Sequence, residues 1–328
     1  MQEPERGPLP EGGRVLAVRL SALGDIVKAI PAMRALAAAR PDLHVDWLTE
    51  DRHAGLVESL PFVERTWVFP RSGWTTPAGW ARMARHLGSL AGNRWDAVLD
   101  FQANPKSRFQ LALTRSGRRV EPDSSNRSRR SAVERDSDLV RSLGVSVEAR
   151  TPWKWKLPAG AETTEESSDA EKPVLLLPDT TSWGRDKAWP DSRWVALAQG
   201  LNSQGIPVQF LKPPKNSRAA ILAAQSDCPL APSTPSLPEL AGLLDGCRVV
   251  VGTDSGPVHL AAYRGTPTVA LFGPTDPRVH APFGPAVEVL SPLREDEAPP
   301  PRDHSRPSPL MEEIQVDQVQ EAVLKIGG

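Results

Sequence analysis

The stretch from Arg14 to Asp25 constrains the fold more than any other part of this sequence. Arg14–Val18 has the apolar character of a buried parallel strand, and a short Ser/Gly turn follows it. Apolar residues then recur at helical spacing, at Ile26, Ile30, Met33 and Ala37. The stretch predicts a strand, a turn and a helix, with Asp25 at the helix start. Asp25 is open to two interpretations: a helix cap, or a reactive group at the carboxyl end of a strand, where ligands of open α/β sheets bind.

The alternation of strands and helices continues along both halves of the chain. In the N-terminal half the pattern predicts strands at 14–18, 44–48, 65–69 and 97–101, with helices near 52–60 and 77–91. In the C-terminal half it predicts strands at 174–177, 208–211, 248–251 and 268–272, with helices near 194–201, 217–225 and 237–244. Strands separated by helices are typical of parallel sheets wound on both faces, and 328 residues suit two such domains.

Composition divides the chain into four parts. The predicted parts are a disordered tail at residues 1–13, an N-terminal Rossmann-like domain at 14–158, an acidic linker at 159–172 and a C-terminal Rossmann-like domain at 173–328. The last helix is a candidate to pack back on the N-terminal domain. Two α/β domains joined by a linker create a cleft between them, which suits a ligand with two different ends.

Composition also excludes several classes of protein. A net charge of −1 gives the protein no overall positive field that would attract nucleic acid. Two cysteines cannot form a disulfide framework, the N-terminus is unlike a signal peptide and no apolar run reaches about 18 residues, so we expect a cytoplasmic protein without a transmembrane helix. The sequence has no Cys/His cluster with metal spacing, no P-loop and no G-x-G-x-x-G, which disfavours P-loop hydrolysis and hydride transfer.

Residues 103–150 carry a local excess of positive charge. Eleven Lys and Arg residues stand against six Asp and Glu, a balance of +5. Ser, Asn and Gly surround most of these cations, which predicts a loop containing Arg115, Arg118, Arg119, Arg127, Arg129 and Arg130. Such a loop is by default a solvated surface, but beside an active site it would suit a phosphorylated or carboxylated acceptor.

Three polar segments follow strands of the C-terminal half. The first, residues 178–190, contains Arg185 and Lys187, which either neutralise phosphate oxygens or lie solvated on the surface. The second, residues 252–259, is a Gly-rich turn into a helix, where backbone N–H groups can approach an anion. The third is residues 273–277. Three such segments at the strand ends of one domain predict a nucleotide-sized ligand.

The second of these segments predicts a helix that begins at Gly256 and Pro257, because proline is favoured in the first turn of a helix. His259 follows in the same turn and is open to two interpretations, a packed or capping histidine and a group that contacts the ligand.

In order and spacing, the chain resembles glycosyltransferase family 9, the ADP-heptose:lipopolysaccharide heptosyltransferases. The similar segments, spread over about residues 14 to 326, are Arg19–Asp25, Trp95–Gln102, Lys187–Pro190, Gly252–Leu260 and Leu271–Pro277. Trp95–Gln102 is most similar to the heptosyltransferase I branch. The resemblance implies a GT-B fold, in which two Rossmann-like doubly wound domains face a central cleft. It also implies an inverting reaction that needs no metal or other cofactor.

The resemblance also implies roles for particular residues. Asp25 would be the general base for the acceptor hydroxyl, and Lys187 would pair with the donor diphosphate as charge builds on the leaving group. The implied donor site consists of Thr181, Arg185, Lys187, Asp254, Ser255, Gly256, Pro257, His259 and Thr275. The implied acceptor site consists of Ser21, Gly24, Arg52, Lys106, Arg127, Arg129 and Arg130.

The implied function is transfer of a heptose from ADP-heptose to the Kdo-containing inner core of lipopolysaccharide, an anionic glycolipid at the inner face of the inner membrane. The chain departs from the family at Asp179–Thr181, where a Gly-Ala pair is frequent, and at Lys212–Lys215, where an acidic Gly-rich loop is frequent. Both departures lie near the expected donor pocket. Two alternatives therefore stay open: another nucleotide-sugar donor or acceptor, and a non-catalytic nucleotide-sugar-binding protein.

Overall fold

The structure, a computed structural model, describes residues 8–71, 75–123, 130–147, 151–161, 172–213 and 218–328, with only the backbone of Ser182. The chain divides into two compact units, Met1–Ala149 and Arg150–Gly328. Residues 162–171, which make up most of the predicted linker, fall outside the described residues, as do Arg127 and Arg129.

The first unit contains a five-stranded parallel sheet. The strands are β1 (Arg14–Val18), β2 (His44–Glu50), β3 (Arg65–Phe69), β4 (Arg94–Asp100) and β5 (Arg115–Val120), in the order β3-β2-β1-β4-β5. The helices are α1 (Leu23–Ala39), α2 (Ala54–Glu58), α3 (Pro77–Ala91), α4 (Pro105–Leu111) and α5 (Ala132–Arg141). β1 pairs with β2 on one side and β4 on the other. A central strand covered on both faces is buried, which explains its continuous apolar sequence.

The prediction of a loop at Arg115, Arg118 and Arg119 is wrong, because these residues lie on β5. β5 is the edge strand of the sheet and most of its side chains are exposed. An exposed edge strand needs no apolar run, and charged side chains are typical of such edges. The arginines that obscured the strand in the sequence are therefore the side chains that an edge strand favours.

The second unit contains a second five-stranded parallel sheet. The strands are β6 (Val174–Leu177), β7 (Val208–Phe210), β8 (Val249–Thr253), β9 (Thr268–Leu271) and β10 (Val287–Leu290), in the order β10-β9-β8-β6-β7. The helices are α6 (Asp191–Ser203), α7 (Arg218–Ser226), α8 (Leu237–Asp245), α9 (Gly256–Arg264), α10 (Pro277–His280), α11 (Pro309–Glu313) and α12 (Val316–Ile326). The prediction of two doubly wound α/β domains is confirmed.

The last helix, α12, packs on the sheet of its own unit. It contacts α6 and the strands β8, β9 and β10, and Val319 and Val323 are buried in this contact. Its hydrophobic face is therefore covered within the second unit. Among the helices of the described residues, none combines the length and the apolar character needed to cross a membrane.

Each sheet has one position where the direction of winding reverses. β1 lies between β2 and β4, and β6 lies between β7 and β8, so the strands that follow β1 and β6 in the chain are added to the sheet on both sides of them. In doubly wound sheets the crevice at this switch point, beyond the carboxyl ends of the strands, is where ligands bind. The loops after β1 and β4, and those after β6 and β8, are therefore where functional side chains are expected.

Candidate active site

Asp25 lies in the first turn of α1, three positions after Ala22, the residue that precedes the helix. Its Oδ2 accepts a hydrogen bond of 3.4 Å from the Ala22 N–H, so the side chain also caps the helix. Arg19 Nη2 lies 3.2 Å and Lys28 Nζ 3.8 Å from its carboxylate oxygens, and the side chain is 37% exposed. The two cations and the helix N-terminus favour the ionised form, and an accessible ionised carboxylate can accept a proton.

The turn that carries Asp25 is fixed by the loop after β4. Gln102 Oε1 accepts hydrogen bonds from the Leu20 N–H at 2.8 Å and from the Ser21 N–H at 3.3 Å. Gly24 is buried in the first turn of α1, beside Asp25 in sequence. The two loops at the switch point of the first sheet therefore hold each other, and Asp25 projects from a turn with a defined backbone.

Asp136 is a second carboxyl group near Asp25, on α5, which packs against α1. It is buried, and its Oδ2 has no hydrogen-bond partner among the described residues. Burial raises the pKa of Asp136 to about 7, although nearby cations oppose the rise. These cations are Arg19, Arg135 and Lys28. A single acidic residue in an unpredicted helix gives no signal in the sequence, so Asp136 was not a candidate.

We expect Asp136→Asn to gain stability over the wild type as pH rises from 5 to 8. The raised pKa means that the unfolded chain loses the Asp136 proton near its ordinary value of 3.8, before the folded chain does. The contribution of Asp136 to the free energy of unfolding therefore falls as pH rises from 3.8 to about 7, and it levels off at higher pH. Between pH 5 and pH 8 this fall amounts to about 3 kcal/mol. Asparagine removes this loss. Urea denaturation at the two pH values measures it.

Asp42→Asn is the matched control for this measurement. The hydrogen bond from Arg40 lowers the pKa of Asp42 to about 2, so its charge is constant between pH 5 and pH 8. A stability difference between Asp136→Asn and the wild type that is equal at both pH values would contradict the prediction.

Three cations surround Glu50, the last residue of β2. The Glu50 side chain is fully buried, and its carboxylate oxygens lie 2.8 Å from Arg52 Nη2, 3.0 Å from Arg71 Nη1 and 3.5 Å from Lys106 Nζ. Burial opposes ionisation, but the hydrogen bond from Arg71 and the charges of Arg52 and Lys106 hold the pKa of Glu50 below its usual range. These four side chains, the Glu50 cluster, carry three positive charges and one negative. The surplus can bind an anion.

The Glu50 cluster brings together two predicted acceptor residues, Arg52 and Lys106, and adds Arg71, which the sequence did not reveal. Arg71 stands alone in the sequence, but it follows β3, which pairs with β2. The ends of neighbouring parallel strands lie at the same edge of a sheet, so the position of Arg71 shortly after β3 was the signal that the sequence offered. Arg130, another predicted acceptor residue, instead pairs with Asp138 of α5 at 2.7 Å.

In the second unit, Lys187, Asp254 and His259 form one network. Lys187 Nζ lies 2.6 Å from Asp254 Oδ2, and His259 Nε2 lies 3.1 Å from Asp254 Oδ1. The three side chains are 18%, 10% and 3% exposed, respectively. His259 is thus a buried partner of Asp254, which is in turn paired with the cation of the β6 loop. Within the described ranges no three His, Cys, Asp or Glu side chains come together as metal ligands would.

Helix α9 begins at Gly256 with Pro257 in its first turn, as predicted, and Ser255 precedes it. The N–H groups of its first turn are available to an anion. Two buried hydroxyl groups belong to the same edge of the sheet, Thr253 at the end of β8 and Thr275 after β9. Neither has a hydrogen-bond partner among the described residues. A buried polar group without a partner is costly, so these hydroxyls are expected to bind ligand or water.

The remaining predicted donor residues, Thr181 and Arg185, are exposed. Thr181 precedes a 3₁₀ turn, Ser182–Lys187, which contains Arg185 and ends at Lys187. This short segment therefore carries two cations that differ in exposure and in partners. Arg185 faces solvent, whereas Lys187 has a protein partner with which a ligand must compete.

This 3₁₀ turn is held by a segment from near the C-terminus. The buried carboxylate of Asp186 accepts two hydrogen bonds from Arg302, at 2.7 and 2.9 Å. The Asp186 carbonyl accepts a third from the Ser308 N–H, at 3.0 Å. We call residues 302–308 the C-terminal strap. Because Lys187 follows Asp186 directly, the strap fixes the backbone that carries Lys187.

Known proteins share both the sequence pattern and the architecture. The model of the family described as glycosyltransferase family 9 (heptosyltransferase) matches residues 83–308. The lipopolysaccharide heptosyltransferase 1 of Escherichia coli strain K12 is 29% identical over 297 residues, which cover 83% of this chain and 91% of that protein. The protein of the same name from Pseudomonas aeruginosa PAO1 is 29% identical over 305 residues, which cover 83% of this chain and 81% of that protein.

Solved structures agree with this assignment. The E. coli heptosyltransferase WaaC with ADP superimposes with a TM-score of 0.75 at 26% identity, and the match covers 95% of this chain and 99% of that chain. The E. coli ADP-heptose lps heptosyltransferase II has a TM-score of 0.74 at 20% identity, with 96% and 98% covered, a likeness that shows the fold alone. The predicted GT-B class of fold is confirmed. Since the family model spans more than half of the chain, this chain belongs to glycosyltransferase family 9 and is a glycosyltransferase.

Proposed function

We propose that this protein transfers a heptose from ADP-heptose to the Kdo-containing inner core of lipopolysaccharide. The observation that carries the proposal is the Lys187–Asp254–His259 network at the switch point of the second sheet, beside the N-terminus of α9. Lys187 comes from the loop after β6, Asp254 from the loop after β8, and His259 from the first turns of α9. The network supplies a cation, and the first turn of α9 supplies anion-binding N–H groups, for a diphosphate. Relatives named lipopolysaccharide heptosyltransferase 1, and neighbours solved with ADP and with ADP-2-deoxy-2-fluoro heptose, support the choice of donor and acceptor.

On the acceptor side, Asp25 acts as the general base. The acceptor hydroxyl gives its proton to the Asp25 carboxylate while its oxygen attacks the anomeric carbon of the heptose. The bond from that carbon to the diphosphate oxygen breaks, and ADP leaves with the electron pair. Attack from the face opposite the leaving group inverts the anomeric centre. Arg19 and Lys28, at 3.2 and 3.8 Å, hold the carboxylate in position.

On the donor side, Lys187 and the N-terminus of α9 stabilise the charge that develops on the departing ADP. Lys187 turns from Asp254 to the diphosphate when the donor binds, and His259 keeps its contact with Asp254. Ser255 and Gly256 provide N–H groups close to the phosphates, and Arg185 adds a second cation. In this proposal the chain itself supplies the positive charge, so EDTA leaves transfer unchanged.

The Glu50 cluster provides the contact for an anionic acceptor, because its surplus of two positive charges lies at the carboxyl edge of the sheet that carries Asp25.

We expect Arg71→Ala to raise the acceptor KM by about tenfold, since a charge-assisted hydrogen bond is worth about 1.5–3 kcal/mol. The donor KM should not change. Steady-state kinetics with each substrate varied in turn measures both.

Arg40→Ala is the matched control for Arg71→Ala. Arg40 also pairs with a carboxylate, Asp42 at 2.6 Å, but it follows α1 and precedes β2, at the amino edge of the sheet. An acceptor KM that rises equally in the two variants, or in neither, would remove the Glu50 cluster from acceptor binding.

The proposed function is tested by mass spectrometry. Purified protein receives ADP-heptose and deacylated Kdo-lipid A in the presence of EDTA, with Asp25→Asn in parallel. A mass gain of one heptose with the wild type alone supports the donor, the acceptor class and the role of Asp25 together. If the wild type gives no product, a thermal-shift panel of ADP, UDP and GDP identifies a different donor. Nucleotide binding without transfer to any acceptor would favour the non-catalytic alternative.

A lipid-linked acceptor also determines where the protein works. We propose that it acts in the cytoplasm, at the inner face of the inner membrane, where the acceptor is embedded. The basic side chains of the Glu50 cluster are the groups that would contact the anionic headgroup.

A further inference from the structure

Asp179 is a half-buried acidic residue at the switch point of the second sheet. It follows β6 by two residues, and β6 lies between β8, whose loop carries Asp254, and β7. The same loop continues through Thr181 to the 3₁₀ turn that ends at Lys187. Asp179 therefore belongs to the ligand-binding edge of the second unit, although neither the motifs nor the proposed mechanism gives it a role.

Both carboxylate oxygens of Asp179 are buried and have no hydrogen-bond partner among the described residues. Burial raises its pKa, while the charge of Arg218 and the Ala219 N–H, which faces it outside hydrogen-bond geometry, oppose the rise. Arg218 does not complete the site, because its guanidinium donates to other acceptors. These are the carbonyls of Pro178 and Trp189 and the carboxylate of Asp191.

The chemistry of Asp179 restricts what can bind it. A carboxylate repels phosphate oxygens, so the diphosphate stays with Lys187 and α9. Two buried acceptor oxygens on one carbon match two donors on neighbouring atoms, and the adjacent hydroxyls of a ribose are such donors. A buried acceptor without a partner is costly, and a hydrogen bond to a charged group is among the stronger ones. Acidic side chains recognise the ribose 2′-hydroxyl in other doubly wound sheets for the same reason.

We propose that Asp179 binds the 2′- and 3′-hydroxyl groups of the donor's ribose and so selects ribonucleoside diphosphates. The inference rests on the proposed nucleotide-sugar donor and deepens it, because it places the nucleoside on the β6 side of the switch point. The phosphates and the sugar then extend toward Lys187 and α9.

The test measures binding of ADP, 2′-deoxy-ADP and inosine diphosphate to the full chain by calorimetry, for the wild type and for Asp179→Ala and Asp179→Asn. The wild type is expected to bind ADP at least about tenfold more tightly than 2′-deoxy-ADP and to bind inosine diphosphate within about threefold of ADP. In Asp179→Ala the ratio between ADP and 2′-deoxy-ADP should fall to within about threefold. Asp179→Asn, which keeps one acceptor oxygen, should give an intermediate ratio.

The control and the contrary outcomes separate this inference from the proposed function. Glu288→Ala removes a carboxylate of the same unit that pairs with Lys325 outside the switch point, and it should keep the wild-type ratio. The ribose assignment is wrong if Asp179→Ala keeps the wild-type ratio between ADP and 2′-deoxy-ADP affinity. It is also wrong if the substitution instead weakens binding of inosine diphosphate relative to ADP. In both cases the donor proposal stands. If the wild type binds none of the three nucleotides, the adenine nucleotide donor fails, and the ribose assignment fails with it. Thermal unfolding of each variant confirms that it is folded.

Discussion

Asp25→Asn is expected to lower the rate of sugar transfer by about 10²- to 10⁴-fold and to leave ADP affinity within about twofold of the wild type. Asparagine has nearly the shape of aspartate, and it can still accept the hydrogen bond from the Ala22 N–H. It cannot take a proton from the acceptor hydroxyl. The loss therefore falls on the chemical step and not on folding or donor binding, because the proposed donor residues lie on the second unit.

Single-turnover transfer with saturating donor and acceptor measures the first effect, and calorimetry with ADP measures the second. Asp42→Asn is a suitable control, since Asp42 is also paired with an arginine of the first unit but lies outside the switch point. Transfer by Asp25→Asn at the wild-type rate would remove Asp25 from the mechanism. A parallel loss of ADP binding would show that the substitution acts through the fold.

Lys187→Ala is expected to weaken ADP binding by about tenfold and to lower kcat by a further factor of about 10². The two effects have one cause. Lys187 meets the diphosphate in the ground state, and it meets more negative charge as the bond to the heptose breaks, so its contribution grows toward the transition state. The variant also removes the cation 2.6 Å from Asp254, and the negative charge that this cation no longer balances repels the phosphates.

The ion pair makes a sharper experiment possible. In the double variant Lys187→Ala with Asp254→Asn, the repulsive charge is gone, so part of the ADP affinity should return while kcat stays low. Non-additivity of this kind is characteristic of residues in direct contact. Lys325→Ala is the control, because Lys325 also pairs with a carboxylate, Glu288 at 3.0 Å, outside the switch point. Unchanged ADP affinity in Lys187→Ala would contradict the assignment of Lys187 to the diphosphate.

Two interior strands, β1 and β6, could be predicted from the sequence because both of their faces are covered. β1 and β6 are apolar and buried almost throughout, and their boundaries agree with the prediction. Two of the four edge strands, β5 and β10, were missed for the converse reason. Their side chains are exposed or half-buried, so no apolar run marks them.

The residues of the candidate site also fall into those that local sequence reveals and those that it does not. Asp25, Lys187 and Asp254 belong to short segments that follow strands, so local sequence was enough to select them. Arg71 and Asp136 act through neighbours on other elements, and their positions depend on sheet order and helix packing. The rule that parallel strands end at one edge could have suggested Arg71, but nothing in the sequence pairs α5 with α1.

The C-terminal strap has a consequence for how this protein can be divided into fragments. It joins Asp186 to Arg302, 116 positions apart in the sequence. A fragment that stops before Arg302 would keep Lys187, Asp254 and His259 and still lose the clamp on the turn that presents Lys187. The smallest expressible donor-binding module therefore extends at least through Ser308. A circular permutation that opens the chain within the strap would release that turn without altering any residue that meets the nucleotide.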